Sequence, residues 1–277
     1  MTPSDADLAA DQLLAETLAV EAGELLLQIR DSEKATGRSL GDIGDRRSNE
    51  FLLARLAEER PGDAVLSEES PDVSARETAS RVWIIDPVDG TREFSMRGRG
   101  DWAVHVALWL RDGTPERSRL DVSAVSLPGL GLVIGTGGAR TFAGEPVPLE
   151  PGETAGGLLD PLDDVAGPRI VASGSRPPRF LAGVVASLGG TQHAVGSAGA
   201  KAMCVVRGEA DAYIHAGGQF QWDSAAPAGV AMAHGFAACR IDGTPLEYNV
   251  ADTYLPDLII CRPELRDEIV DAIAAHR

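Results

Sequence analysis

Basic residues are scarce in this chain relative to acidic ones. Its 277 residues include 25 Lys and Arg against 42 Asp and Glu, a formal net charge of −17 with His neutral. A protein that binds a nucleic-acid polymer or an anionic membrane surface needs a basic patch to attract the phosphates. The composition therefore argues against both of these partners.

Cysteine is rare as well, and the three that occur, Cys204, Cys239 and Cys261, form no CxxC motif. Neither a disulfide framework nor a zinc site is indicated, and the apolar surroundings predict inert core residues. No apolar run approaches the ~20 residues that a membrane-spanning helix needs. The acidic, amphipathic first thirty residues do not resemble a signal peptide. We therefore expect a soluble, cytoplasmic protein.

The first half of the chain has the pattern of two helices followed by strands. Apolar residues recur every three to four positions over 4–30, and a second helix fits 46–60, before Pro61-Gly62. Short apolar segments then predict strands at 64–66, 82–85 and 102–110. Residues 122–135 predict two further strands around a Pro128-Gly129 turn. This half is predicted to be α+β.

The second half alternates strands and helices, which is typical of a layered α/β structure. Residues 136–168 are rich in Gly and Pro, with few apolar positions, so we place a long connection there. At ~100–200 residues per domain, the length allows two domains, which we expect at 1–148 (α+β) and 149–277 (α/β). Beyond the connection, strands and helices are predicted in alternation, beginning with a strand, at 169–173, 178–188, 192–196, 199–207 and 210–215. A helix from about 223, strands at 237–241 and 258–262, and a closing helix around 265–273 follow.

Three carboxylate clusters directly follow apolar segments: Glu68-Glu69, Asp86 to Thr91, and Trp222-Asp223. An α/β fold presents side chains to a ligand at its strand ends. No HExxH, GxSxG or GxxxxGK[ST] motif occurs, which removes the zinc peptidase, serine hydrolase and P-loop interpretations. The carboxylates are therefore the best candidates for a site.

The segment Asp86-Pro87-Val88-Asp89-Gly90-Thr91 predicts a tight turn that aims two carboxylates and an intervening carbonyl at one point. Mg²⁺ prefers such oxygen ligands, and the N–H groups of Gly90 and Thr91 suit a phosphate if a helix begins there. Solvated turn residues are the alternative. The apolar strand before Asp86 weighs against it, because a carboxylate buried beside that strand needs a cation or another partner.

Four segments resemble motifs of the inositol monophosphatase-like family. Residues 83–94 read WIIDPVDGTREF and are similar to its W-I-D-P-hydrophobic-D-G-T-x-x-F signature, and 222–229 read WDSAAPAG and are similar to its W-D-x-A-A signature. LSEES at 66–70 resembles its G-E-E-S element, with Ser67 in place of Gly. GSAGAKAM at 196–203 resembles the G-S-x-x-x-K stretch of the 3′(2′),5′-bisphosphate nucleotidase branch, and the whole chain is similar to the CysQ-like actinobacterial members of that branch.

The resemblance implies an α-β-α-β-α sandwich and a site of two or three Mg²⁺ ions between its halves. Asp86 would bridge two ions, with Glu68 and the Val88 carbonyl completing one site and Asp89 with Asp223 the other. Two cations that straddle a phosphate stabilise both the attacking and the leaving oxygen. The resemblance also implies a homodimer.

The resemblance further assigns Thr91 and Asp45 to orient and deprotonate the attacking water. Asp45 lies in Gly44-Asp45-Arg46, at the expected start of the second helix. The family's threonine-rich element before that Asp is absent, and Asp42-Ile43-Gly44 stands in its place. The assignment of Asp45 therefore depends on fewer matching residues than that of Asp86.

The resemblance, and not the spacing of the residues, implies the substrate: adenosine 3′,5′-bisphosphate, dephosphorylated to AMP in sulfate assimilation. Inositol phosphatases carry a Glu where this chain has Ala216, and nucleotidases often have an Arg where His215 stands. Lys201 is either a second cationic contact or a solvated helix residue. Inositol 1-phosphate and fructose 1,6-bisphosphate are the alternative substrates, and a binding protein without turnover is the alternative class. The implied substrate contacts are Glu68, Asp89, Gly90, Thr91, Ser197, Lys201, His215 and Asp223.

A few further polar residues have two interpretations. His105 lies in a predicted strand and is expected to be structural. Glu69 is either a supporting carboxylate or an exposed neighbour of Glu68. Arg97 and Arg99 follow the D-G-T turn, and they are either solvated loop residues or a cationic rim that attracts phosphate.

Overall fold

The structure, a computed structural model, describes residues 4–72, 74–111, 119–149, 157–159 and 167–277. Within these ranges the chain forms two sheets and seven helices. The helices are α1 (Asp5–Ser32), α2 (Arg38–Glu59), α3 (Thr91–Ser95), α4 (Leu181–Ser187), α5 (Ala198–Val206), α6 (Gln221–Ala233) and α7 (Arg266–His276). The strands are β1 (Ala64–Ser67), β2 (Arg81–Asp89), β3 (Ala103–Leu110), β4 (Arg119–Leu127), β5 (Leu132–Gly135), β6 (Gly138–Thr141), β7 (Pro146–Val147), β8 (Arg169–Ser173), β9 (Thr191–Val195), β10 (Ala212–Ala216), β11 (Ala237–Cys239) and β12 (Asp257–Cys261).

The first sheet contains β1 to β7 in chain order, with β1 parallel to β2 and every later neighbour antiparallel. Side chains alternate between its two faces. Trp83, Val104 and Val106 pack with the apolar side of α1 and α2, whereas Ile84 and Ala107 face the other way. Both faces are buried, so the central strands are mainly apolar, and the polar residues among them, such as His105 in β3, are buried as well.

The second sheet has the order β11-β12-β10-β8-β9, in which β8, β9 and β10 are parallel and β12 is antiparallel to its neighbours. One face, with Val171 and Tyr213, packs with α5 and α6 against the first sheet. The other face, with Ile170 and Ile259, packs against α4 and α7. The layers are therefore helix, sheet, helix, sheet and helix, and the predicted α-β-α-β-α sandwich is confirmed.

The second helix begins eight residues earlier than expected, at Arg38 instead of 46. Gly41 and Gly44, which favour a loop in the sequence pattern, lie inside this helix. They are glycines because α3 packs so closely against them that no side chain would fit. A Cβ at Gly41 would lie 2.7 Å from Thr91 Cγ2, and one at Gly44 would lie 2.5 Å from Phe94 Cε1. Asp45 consequently lies within the helix, after its first two turns, and not at its start.

The expected long connection is shorter than predicted at its beginning. Residues 138–141 and 146–147 are the strands β6 and β7 of the first sheet, formed from a segment whose few apolar residues gave little strand signal. Residues 150–156 and 160–166 lie outside the described residues. The division into domains at 148/149 stays a prediction. Among the described residues, no helix combines the length and the apolar composition that crossing a bilayer requires.

Candidate active site

The carboxylate clusters meet at one edge of the first sheet. β1 and β2 are parallel, with Ser67 opposite Ile85, so Glu68, which follows the end of β1, lies beside Asp86 in the last part of β2. Asp223 reaches the same place from the first turn of α6, which lies between the sheets. Because parallel strands end at the same edge, three segments that are far apart in sequence converge there.

The segment from Asp86 to Asp89 is extended, where the sequence predicts a tight turn. β2 continues to Asp89, with a register shift against β3 between Asp86 and Asp89. The irregularity lets the carboxylate of Asp86 accept a hydrogen bond from Val88 N at 3.0 Å. The chain turns only at Gly90, whose φ of +87° favours glycine and where a Cβ would lie 3.0 Å from Ser197 Cβ.

Asp86, Asp89 and Asp223 each offer a carboxylate oxygen, and these oxygens lie within 4.8 Å of one another. Asp86 and Asp89 are buried, Asp223 is partly buried, and Glu68 is at the exposed rim. Three carboxylates at this spacing, without enough donors to neutralise them, fit a divalent cation. The donor set contains only oxygen, which is typical of Mg²⁺ sites.

The mutual repulsion of these carboxylates shows in their pKa values. Burial, followed by the charges of Glu68 and Asp89, raises the pKa of Asp86 well above its ordinary value. Burial and the charge of Asp89 raise the pKa of Asp223 to about 7. Loss of hydration and then the charge of Asp223 raise the pKa of Glu68 to about 8, although the outer side of this residue is in solvent. A bound cation would reverse these shifts.

Asp89 differs from the others because it caps helix α5. Its carboxylate accepts hydrogen bonds from Ala198 N at 3.0 Å and Gly199 N at 2.6 Å, and from the Ser197 hydroxyl. Burial disfavours its charge, but His105, Lys201 and the Ser197 hydroxyl outweigh burial and hold the pKa of Asp89 below the ordinary value. Asp89 is therefore a fixed anion that joins the first sheet to the helix layer between the sheets.

His105 is the residue near the site whose contacts the sequence did not reveal. It is fully buried in β3, with Nε2 3.1 Å from Asp89 Oδ2 and Nδ1 3.0 Å from the Trp222 carbonyl oxygen. A Cβ at Gly199 would lie 2.1 Å from Nε2, so only glycine fits there. His105 thus holds Asp89 and the first turn of α6 together. No sequence motif marked this residue, and its position opposite Asp86 in the β2–β3 pairing is visible only in the structure.

Thr91 and Asp45 are in contact at the start of α3. Thr91 Oγ1 lies 3.2 Å from Asp45 Oδ1 and 3.2 Å from the Val88 carbonyl oxygen. Burial, followed by the charge of Glu69, raises the pKa of Asp45 to about 7. A carboxylate with a pKa near neutrality beside a hydroxyl is suited to exchange a proton with it.

A cleft of about 580 Å³ opens beside the cluster and separates the two halves of the chain. Its walls include residues that the sequence predicted to contact substrate and others that it did not. The predicted ones are Asp89, Gly90, Thr91, Ser197, Lys201, His215 and Asp223, and among the others are Arg92, Arg99, Arg176 and Gln219. Glu68 does not line this cleft.

Lys201 and His215 line the cleft but are buried. Lys201 Nζ donates hydrogen bonds to the carbonyl oxygens of Gly196 and Ser197, the latter at 2.7 Å, and lies 5.1 Å from the centre of the Tyr213 ring. Burial and the nearby Lys201 lower the pKa of His215 to about 4, so its ring is neutral at pH 7.

The two arginines after the D-G-T turn lie in different places. Arg97 donates to backbone carbonyl oxygens at the end of α1, among them that of Glu33 at 2.6 Å, so it stabilises this helix end. Arg99 pairs with Asp101 and lines the cleft. Only Arg99 is thus placed as the rim interpretation requires. The three cysteines are buried and free, as expected.

The combination of this fold with this site defines the class of the layered α/β phosphatases. The chain belongs to the inositol monophosphatase family, whose sequence profile matches residues 6–276. A 3′-phosphoadenosine 5′-phosphate phosphatase of Mycobacterium leprae is 48% identical over 270 residues, which are 95% of this chain and 93% of that protein. A Mycobacterium tuberculosis protein of the same name is 50% identical over 258 residues, 92% of this chain and 90% of that protein.

Solved structures show the same fold. A CysQ from Bacteroides thetaiotaomicron, a bacterial member of the inositol monophosphatase family, has a TM-score of 0.71 at 26% identity, covering 91% of this chain and 97% of that one. The inositol monophosphatase II of Staphylococcus aureus has a TM-score of 0.72 at 21% identity, covering 94% of each chain. The layer order described above is thus the order of the family fold.

Proposed function

We propose that this chain is a Mg²⁺-dependent phosphatase that converts adenosine 3′,5′-bisphosphate to AMP and phosphate in sulfate assimilation. The convergence of Asp86, Asp89 and Asp223 beside Thr91 and Asp45 is the observation that carries the reaction. The substrate is the compound in the names of the mycobacterial relatives, which are 3′-phosphoadenosine 5′-phosphate phosphatases. The near-complete coverage of both chains supports the transfer of that substrate.

The residues fit the two Mg²⁺ ions that the family resemblance implies. Asp86 would be shared between the ions, Glu68 and the Val88 carbonyl would hold one, and Asp89 and Asp223 would hold the other. Bound Mg²⁺ would supply charge neutralisation at the phosphate and would make a bound water easier to deprotonate by a nearby base. The hydrogen bonds that Asp89 accepts from α5 occupy some of its carboxylate lone pairs and fix the direction of the carboxylate, so fewer lone pairs remain for a metal ion.

Thr91 and Asp45 would move the proton of the attacking water. The Thr91 hydroxyl can accept that proton only if it passes its own to Asp45 Oδ1, the carboxylate oxygen 3.2 Å away. The raised pKa of Asp45, about 7, makes this carboxylate a better base than an ordinary aspartate. The second contact of Oγ1, with the Val88 carbonyl oxygen, holds the hydroxyl beside the proposed metal ligand.

Variants of this pair test the proton path. We expect Thr91→Ala and Asp45→Asn each to lower kcat by about 10²–10⁴-fold, the usual contribution of general base catalysis. The Mg²⁺ affinity, measured by calorimetry, should be nearly unchanged because neither side chain is a proposed ligand. Since the two residues act as one unit, the double variant should be little worse than either single one. Thr91→Ser, which keeps the hydroxyl, is the matched control, and additive losses would separate Asp45 from Thr91.

The phosphate would bind at the turn that follows β2. Gly90 has a left-handed conformation and Thr91 begins α3, so backbone N–H groups near the start of this short helix are free of helical bonds. Beyond the phosphate, the turn at the end of β10 contains Ala216, Gly217 and Gly218, of which Gly218 lines the cleft, with φ of +93° and +76° at the two glycines. This turn offers no carboxylate to grip an inositol hydroxyl and leaves room for a nucleoside.

Turnover of three substrates tests the proposed function. We expect kcat/KM with Mg²⁺ to be at least about tenfold higher for adenosine 3′,5′-bisphosphate than for inositol 1-phosphate or fructose 1,6-bisphosphate, which corresponds to about 1.4 kcal/mol of selective binding. Chelation with EDTA should abolish all three activities. A preference for inositol 1-phosphate would refute the nucleotidase assignment. Absence of turnover with every substrate would favour a binding protein.

The homodimer that the resemblance implies and the cytoplasmic location that the sequence pattern predicts both belong to the proposal. Sedimentation of the purified chain tests the first. A mass near twice 29.0 kDa is expected.

A further inference from the structure

The cleft needs a cation for the second phosphate of the proposed substrate, and the two residues that the sequence suggested are poorly placed to supply one. Lys201 Nζ already donates to the carbonyl oxygens of Gly196 and Ser197 and is buried against the Tyr213 ring. His215 is neutral at pH 7, and its Nε2 atom is enclosed by protein. Neither side chain presents an accessible positive charge to the cleft.

Arg176 is exposed and lines the cleft, on the loop that follows β8. Its backbone N–H donates to Ser173 Oγ at 3.2 Å, and Pro177-Pro178 follow, so its position in the loop is fixed on both sides. In the parts of the chain that the structure describes, no carboxylate pairs with its guanidinium. The charge is therefore available to an anionic ligand.

The guanidinium faces the turn that ends β10. Arg176 Nη1 lies 3.5 Å from the position that a Cβ on Gly218 would take, a van der Waals separation that places the guanidinium directly beside this cleft-lining glycine. Its charge is among the lesser causes of the lowered pKa of His215, which lines the same cleft. Arg176 thus stands on the second-sheet wall of the cleft, whereas Gly90 and Thr91 belong to the opposite wall.

Two other arginines line the same cleft and differ from Arg176. Arg99 is engaged with Asp101, with Nε 2.7 Å from Oδ1. Arg92 directly follows Thr91 in α3, so it lies on the wall of the proposed reacting phosphate. Loss of Arg92 should therefore affect every substrate that is hydrolysed, whether or not it carries a second phosphate.

We propose that Arg176 binds the non-reacting phosphate of a bisphosphorylated substrate and is the residue that selects bisphosphates over monophosphates. This inference depends on the proposed function, because it requires that the phosphate released is the one at the carboxylate cluster. A guanidinium matches phosphate with paired, charge-assisted hydrogen bonds, and a partly enclosed cleft strengthens them. Lys201 then has a structural role. Its ammonium group binds backbone carbonyl oxygens at the N-terminus of α5, whichever substrate is present.

The test compares kcat/KM for adenosine 3′,5′-bisphosphate and for 3′-AMP, which lacks the second phosphate. We expect Arg176→Ala to lower the value for the bisphosphate by about 10- to 150-fold, mainly through KM, the range of one charge-assisted contact. The value for 3′-AMP should change by less than about twofold. Arg176→Lys should recover part of the loss because it restores the charge without the fork.

Arg179→Ala is the matched control, because Arg179 is an exposed arginine three residues further along the same loop and does not line the cleft. It should leave both substrates unchanged. Lys201→Ala and Arg92→Ala should slow both substrates to a similar degree. A bisphosphate preference in the wild type that survives Arg176→Ala would overturn this inference alone. A wild type that shows no preference for the bisphosphate over inositol 1-phosphate would overturn the proposed function and this inference with it.

Discussion

Asp86→Asn is expected to lower kcat by at least ~10³-fold at saturating Mg²⁺, a loss of several kcal/mol of charge stabilisation. The substitution removes one negative charge from both proposed metal sites at once. An asparagine oxygen can still accept the hydrogen bond from Val88 N, so the local backbone should be preserved. Without Mg²⁺ the variant should be at least as stable as the wild type, because Asp86 is repelled by Glu68 and Asp89.

Asp211→Asn provides the matched control for a buried carboxylate outside the site. Asp211 is 8% exposed and accepts hydrogen bonds from Arg169 N at 2.7 Å and Arg169 Nε at 3.1 Å, just before β10 and at the opposite end of this strand from His215. Its substitution should lower Tm, since it leaves Arg169 without its carboxylate, and should preserve kcat below the new transition. The two variants should therefore change opposite quantities. An Asp86→Asn variant that keeps more than a tenth of the wild-type rate would disprove the bridging role.

The metal-free protein is expected to lose stability as the pH rises from about 4 to about 8. Asp45, Glu68, Asp86 and Asp223 have pKa values above their unfolded ones, at about 7 for Asp45 and Asp223 and about 8 for Glu68. The folded chain then binds more protons than the unfolded chain across this window, so the free energy of unfolding falls with pH. Two groups act in the opposite sense: Asp89, whose lowered pKa matters only below about pH 4, and His215, whose pKa of about 4 opposes the trend by at most one proton up to about pH 6.5.

Mg²⁺ should remove this loss at pH 8. At about 100 times its dissociation constant, each bound ion adds about 2.7 kcal/mol to the free energy of unfolding. Two ions should therefore raise Tm by about 10–20 °C for a chain of this size. Thermal unfolding at pH 5 and pH 8, with EDTA or Mg²⁺, measures both effects. Equal Tm values at the two pH values in EDTA would contradict the repulsion among these carboxylates.

The sequence allowed the strand-end carboxylates to be predicted because the signal is local. Asp86, Asp89 and Asp223 each follow or interrupt an apolar segment, and the family signatures contain them. The position of Asp45 in its helix was predicted wrongly, since Gly41 and Gly44 read as a loop unless the packing of α3 is known. The β6 and β7 strands were missed because their apolar pattern is weak.

Contacts between distant segments could not be predicted. His105 contacts Asp89 and the Trp222 carbonyl, partners that only the pairing of β3 with β2 and the placement of α6 bring together. The partners of Lys201 lie within five residues of it, but whether its ammonium turns to them or to the cleft depends on the Tyr213 ring in β10. No sequence motif surrounds Arg176, and only its exposed position in the lining of the cleft indicates a role in binding.

The cap that Asp89 forms on α5 has a consequence for how the chain folds. It joins residues 109 and 110 positions apart, so the ordering of a long intervening segment precedes it. During synthesis the carboxylate is left without its partners until α5 has been made, and Asp223 follows later still. The ion proposed at Asp89 and Asp223 can therefore stabilise only a chain in which α6 has already docked on the first sheet, and catalytic activity, which requires both ions, becomes a marker of a late stage of folding.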